Sequence, residues 1–237
     1  FNYSTLSGRI DDRQNIFDVE MDIPQFQYNT TTFYNLKIKG NGDDTRLGLD
    51  ASIGLIELNE NNSLPGTSIE IVSSQDTSFL RLNTSANQTL NAANIHSRII
   101  TSRNGVGIRF GPSDFEINGK KWNIQENGEL ILTKELISAE GLKIFNGQQE
   151  INITSAPSDI SNTNDIKVRL HKINIGDFSS YLLSSNRMEG LLTGDVDIVD
   201  PFGKLKVEMQ SEAEYFQLDN DSIGKLKLTA QYNRSTG

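Results

Sequence analysis

Apolar and polar residues alternate along most of this chain. Phe17, Val19, Met21 and Ile23 are interleaved with Asp18, Glu20 and Asp22, and Tyr34, Leu36 and Ile38 with Asn35 and Lys37. The same holds for Ile166, Val168 and Leu170 around Lys167 and Arg169, for Leu205, Val207 and Met209 around Lys206 and Glu208, and for Leu226, Leu228 and Ala230 around Lys227 and Thr229. Successive side chains of a strand point to opposite faces, so a period of two predicts strands with one apolar and one solvated side. Such one-sided strands belong to antiparallel sheet with a wet face, not to parallel sheet buried on both sides. Shorter runs repeat the pattern at Val106-Ile108-Phe110, Leu142-Ile144 and Ile151-Ile153.

Turn chemistry fits this reading. Asn-Gly pairs stand at Asn41, Asn104, Asn118, Asn127 and Asn146, and both residues tolerate the positive φ that tight hairpin turns need. Trp122-Asn-Ile124, Asn127-Gly128 and Leu130-Ile-Leu132 predict one compact hairpin. The spacing predicts roughly fourteen to eighteen strands. One segment, Asp177 to Met188, has a helical period: Phe178, Tyr181 and Leu182 fall at i, i+3 and i+4, with Asp177 as cap and Gly190 beyond the end. Residues 86–103 fit helix at Ala92-Ala93 or strand at Arg98–Thr101. Asn59–Gly66 and Ala156–Asn164 read as loops, the second being the place for a subdomain boundary in what is otherwise one domain over 1–237. A degenerate repeat relates Val19-Glu-Met21, Phe26 and Leu36-Lys-Ile38 to Val207-Glu-Met209, Phe216 and Leu226-Lys-Leu228, consistent with an array of similar β units or with chance likeness between amphipathic strands.

Composition narrows the chemistry. The 237 residues include no Cys and two His, so disulfides, thiolate nucleophiles and Cys- or His-rich metal sites are not expected. A net charge of -9 disfavours a surface that tracks nucleic-acid phosphates. No apolar run reaches the length of a membrane span, and the opening Phe1-Asn2-Tyr3 reads as a cut inside a longer protein. Asp195, Asp197 and Asp200, and Asp219 with Asp221, are oxygen-rich but complete no calcium-loop pattern; Asp195 and Asp197 fit a solvated strand face. His96 and His171 lack a nucleophile-elbow context and read as surface or edge residues. Asn29, Asn83, Asn87 and Asn152 match the glycosylation pattern in a chain rich in Asn, Ser and Thr. The apolar share of 35% is small for a filled core of this length. That leaves the apolar faces, read either as an ordinary sandwich core or as a long curved sheet whose unfilled concave side holds acyl chains, each buried methylene contributing about 0.8 kcal/mol.

A family resemblance sharpens the second option. Phe115-Glu-Ile-Asn-Gly-Lys-Lys-Trp122-Asn-Ile-Gln-Glu-Asn-Gly128-Glu-Leu-Ile-Leu132 is followed by Ala139-Glu-Gly-Leu142-Lys-Ile144-Phe-Asn-Gly147, Asp165-Ile-Lys-Val168, Met188-Glu-Gly190-Leu-Leu-Thr-Gly194 and Asp219-Asn-Asp-Ser-Ile-Gly224-Lys-Leu-Lys-Leu228. This order resembles the TamB (translocation and assembly module) proteins of the Bacteroidetes type, within the AsmA-like group, most closely over 106–237. The resemblance implies an all-β fold with one short helix, an elongated curved antiparallel sheet of the β-taco kind with an apolar groove. It implies a periplasmic segment of an inner-membrane-anchored protein, phospholipid as ligand, and an Omp85-type outer-membrane barrel as partner of the full-length protein. The role implied is lipid transfer between membranes or assistance in outer-membrane protein assembly. Neither anchor nor barrel-docking domain is visible, so the chain reads as an internal segment.

On this reading the chain is not an enzyme and carries no cofactor. The groove is expected to be lined by Val19, Met21, Leu36 and Ile38, by Ile124, Leu142 and Ile144, and by Leu205, Val207, Met209, Leu226 and Leu228. The alternatives are a β-sandwich or solenoid binding or adhesion module, with a filled core, and a glycan-acting enzyme, with a polar cleft holding two close carboxylates.

Overall fold

The computed structural model describes residues 3–59, 62–85, 90–178, 187–219 and 221–234. Their regular structure is eighteen strands and one three-residue 3-10 turn, and the strands form an open antiparallel sheet that does not close into a barrel. This is the all-β, open-sheet architecture the alternation predicts. Contacts divide the chain into two compact units, 1–101 with 111–119, and 102–110 with 120–237.

In the first unit each strand pairs with the next. β1 (Thr5–Asp11), β2 (Ile16–Tyr28), β3 (Thr31–Gly42), β4 (Arg46–Asn59), β5 (Asn62–Ser74), β6 (Thr77–Ser85) and β7 (Leu90–Ser102) form an unbroken antiparallel meander, and β9 (Ser113–Ile117) pairs with β7. The segment that fits helix or strand is therefore strand, its Ala93 facing Thr84 and its Ile95 facing Leu82. Most of the loop expected over Asn59–Gly66 is strand, because Leu55 faces Pro65 and Ile53 faces Thr67 in a ladder that runs through the Pro-Gly pair. Proline removes one ladder donor, a loss that leaves the other hydrogen bonds of a long strand in place.

The second unit holds β8 (Gly105–Phe110), β10 (Lys120–Ile124), β11 (Glu129–Thr133), β12 (Ile137–Glu140), β13 (Leu142–Asn146), β14 (Gln149–Pro157), β15 (Asn164–Asn174), β16 (Met188–Val199), β17 (Lys206–Leu218) and β18 (Asp221–Asn233). β13 to β18 pair in sequence order, β10 joins β13, and β11 joins β12 and β8. The compact hairpin expected over 122–132 does not form. Asn127, at φ 63°, bends the chain as expected, but β10 and β11 take their partners from other parts of the chain. At Asn146 the expectation holds: Asn146 faces Gln149 across a two-residue turn led by Gly147 at φ 57°. The loop after β14 runs over 158–163, inside this unit.

The repeat has a structural counterpart. β2 and β17 each run for 13 residues into long hairpins with β3 and β18, and their final residues, Tyr28 and Leu218, hold corresponding places in the two stretches. Asn29 and Asp219, the next residues, share a left-handed φ of 54° and 55°.

The solvated side of the sheet is laced with ion pairs between facing strands. Lys39 meets Glu20 at 2.9 Å, Arg81 meets Glu70 at 3.2 Å, Lys143 meets Glu150 at 2.6 Å, and Glu212 takes both Lys225 and Lys227. Hydrogen bonds from Lys39, Lys143 and Lys225 hold Glu20, Glu150 and Glu212 below their ordinary value of 4.5. The hydrogen bonds that Lys39 and Lys225 donate to Glu20 and Glu212 likewise raise the two lysines above 10.5. A lowered carboxylate adds stability that is complete above its ordinary value and lost as pH falls through the lowered one. A raised lysine adds stability that is lost as pH climbs through the raised value. Melting temperature is therefore expected to decline below pH 4.5 and above pH 10.5, and added salt should flatten the plateau between them, because these pairs are exposed and screened. A plateau unmoved by salt would contradict this.

Candidate functional site

Strand register sorts the apolar side chains into rows that cross the strands. In the first unit one row reads Leu6, Met21, Ile38, Ala51, Ile69, Leu82 and Ile95, one residue from each of seven adjoining strands. None of the seven is buried. The neighbouring row runs Val19, Gly40, Leu49, Ile71 and Leu80. Gly40 is required there: a Cβ would lie 2.7 Å from the Val19 side chain and 3.3 Å from the Phe17 ring. Leu36 faces Ile23, which is buried. The expected residues Val19, Met21, Leu36 and Ile38 thus share one side of β2 and β3. Ala51, Ile69, Leu82 and Ile95 extend it and were missed, although Leu47-Leu49-Ala51-Ile53 alternates as clearly as the runs that were read.

In the second unit three rows run side by side. The first is Ile124, Ile144, Ile151, Leu170, Gly194, Ser211 and Leu228. The second is Leu142, Ile153, Val168, Val196, Met209 and Ala230, and the third is Ile166, Ile198, Val207 and Tyr232. Leu205 precedes β17, and its carbonyl accepts from the Arg234 amide. Leu226 lies beyond the first row, facing Ala213. Of the expected lining residues here, Leu142 is buried (9%) and Leu228 is exposed (36%); the other six are partly exposed. Register brings Ile124 against Ile144 and sets Val207 and Met209 two residues apart on the same side of β17. At Gly194 a Cβ would sit 2.3 Å from the Gln210 carbonyl, so this gap in the first row is fixed by the backbone.

The core beneath is thin. Among the described residues nine hydrophobic side chains are buried, and Trp122 is the large one that is sealed completely. A sandwich of this length would bury many more, because its two apolar sides would face each other.

One margin of the second unit's apolar side is covered. The chain leaving β15 makes a 3-10 turn, Ile175–Asp177, capped by Asn174, whose side chain accepts from the Gly176 amide. Asp177, expected as a helix cap, is buried (2%) and accepts two 2.8 Å hydrogen bonds from the Lys120 ammonium on β10. Phe178 meets Trp122 edge to face at a centroid distance of 5.7 Å. Ile175 joins Ala213 and Phe216 in a small core flanked by Met188, Leu192 and Leu226. Residues 179–186 of the expected helix lie outside the described residues, and Met188 opens β16. Sequence reading missed this cover, for nothing local ties Lys120 to a partner 57 residues away.

The acidic clusters have structural partners. Asp195 is paired with Arg169 and Lys167, Asp197 with Lys167, and Asp200 accepts from the Gly203 and Lys204 amides. Among the described residues no three His, Asp or Glu side chains gather as a metal site. His96 bonds Ser113 through its backbone. A polar cleft of about 400 Å³ in the first unit is bordered by Asn41, Asp43, Arg46, Asp50 and Glu70. Asp50 and Glu70 face each other there, but Glu70 is taken by Arg81, on the charged side of the sheet.

No family model, curated protein or solved structure matches this chain.

Proposed function

We propose that this chain carries acyl chains along the apolar side of its sheet, as a segment of a TamB/AsmA-like envelope protein. The observation that supports this most is the pairing of continuous apolar rows with the thin core: Met21, Ile38, Ile69 and Ile95, or Ile153, Val168 and Met209, stand in line yet stay partly open to solvent. Contiguous apolar surface of this kind is a place for an apolar occupant, since extended exposed apolar patches mark interaction sites. The charged side, with its ion-pair ladders, keeps the other face in water. No helix among the described residues is long and apolar enough to cross a membrane. On this reading phospholipid is the ligand, the periplasm the setting, and an Omp85-type barrel the partner of the whole protein, and the chain makes and breaks no bond. Native mass spectrometry of the purified protein is expected to show phospholipid adducts that a detergent wash strips away. Adduct-free spectra from a membrane-exposed preparation would reject the reading in favour of an adhesion or binding module.

A further inference from the structure

The cover at the margin of the second unit is built unlike the core it touches. Its central contact is ionic: the Asp177 carboxylate, 3% exposed at the side chain, takes two hydrogen bonds from a Lys120 whose side chain is 38% exposed. Within it the Phe178 amide donates to the Ile175 carbonyl, and the Gly176 amide to the Asn174 side chain. Beneath it Trp122 is wholly buried, yet its indole N–H finds no partner among the described residues. A buried donor left unpaired works against the covered arrangement, because the same N–H in water, or against an ester or phosphate oxygen, is satisfied. Next to Trp122 on the same side lies Ile124, the start of an apolar row that is already open.

We propose that Ile175–Phe178 is a strap, latched by Lys120 and Asp177, that opens to admit an acyl chain onto Trp122. The strap rests on geometry alone; the identity of what enters rests on the acyl-binding reading above. Closed, it extends cover from Ala213 and Phe216 on β17 to Trp122 on β10. Open, it adds Trp122 to the apolar surface beside Ile124 and gives the indole N–H a polar head or water to bind. An ionic latch suits this use. It is geometrically specific when shut and, unlike an apolar contact, loses little when both charges return to water.

Trp122 is the single tryptophan in the chain, so its fluorescence reads the strap directly. Acrylamide should quench the native protein weakly. Asp177→Asn and Lys120→Met should each raise the quenching constant severalfold, and the double variant K120M/D177M, which restores an apolar contact across the same gap, should bring it back. With dibrominated stearic acid bound, the native protein should lose part of its emission as the strap opens, and the single variants should lose more. Equal quenching in native and single variants, high or low, overturns the strap. If a single variant loses its strand circular dichroism, hydrogen exchange on the native protein decides: amides at 176–178 exchanging well ahead of the β16–β17 ladder support opening, and exchange only with that ladder overturns it. Failure of every form to retain dibrominated stearic acid refutes the acyl reading, and the acrylamide comparison still settles the strap.

Discussion

Replacing Trp122 with alanine is expected to cost the folded state about 3–5 kcal/mol, the upper range for truncating a buried aromatic. The reason is local. Trp122 is the large side chain sealed completely among the described residues, and Phe178 rests on its ring. Removing the indole leaves a void beneath the strap, and the thin core offers little to collapse into it. Trp122→Phe should recover most of the loss. It keeps the ring contact with Phe178 and removes the unpartnered N–H, whose burial costs about 1–3 kcal/mol. Urea unfolding followed by far-ultraviolet circular dichroism separates the two variants. Equal destabilisation by alanine and phenylalanine would mean the indole nitrogen, and not the packed volume, carries the contribution.

The second large effect is on ligand. Val207 lies on β17 between Ile198 and Tyr232, partly exposed on the apolar side. Val207→Asp places a charge where an acyl chain would lie, and each methylene kept off the surface forfeits about 0.8 kcal/mol. Four displaced methylenes already amount to a loss of more than a hundredfold in affinity, by that figure of about 0.8 kcal/mol each. Leu228→Asp, at the exposed end of the first row, should act in the same direction. Thr229→Asp, its neighbour on the charged side, should leave binding intact. Photocrosslinking of phospholipid from residue 207 or 228, lost in the Asp variants and kept in Thr229→Asp, is the expected result. Crosslinking that survives Val207→Asp would show that lipid does not travel along these rows.

The strands were legible where polar residues mark the opposite side. Phe17–Ile23 and Leu205–Met209 each have an acid or lysine at every second place, and both became long strands in register. The apolar side of β5 and β6 was less visible because Val72 and Phe79 put apolar residues on both sides of those strands. Turn residues were legible as bends but not as connections. Gly147 closes a hairpin and Asn127 does not, though each follows or belongs to an Asn-Gly pair. A positive φ states that the chain bends, and the partner strand decides whether the bend joins neighbours. The strap was illegible for the same reason: Lys120, Trp122, Asp177 and Phe178 are meaningful only once β10 is seated beside β13.

That β2 through β7 each pair with their neighbours in the chain has a mechanical consequence. Stability in such a meander is close to a sum of nearest-neighbour terms, as in a one-dimensional array. Tension applied to the chain would peel it one hairpin at a time, with a force step for each strand released. The same linearity suits growth: each newly synthesised strand finds its template already formed beside it, and no strand has to wait for a distant one.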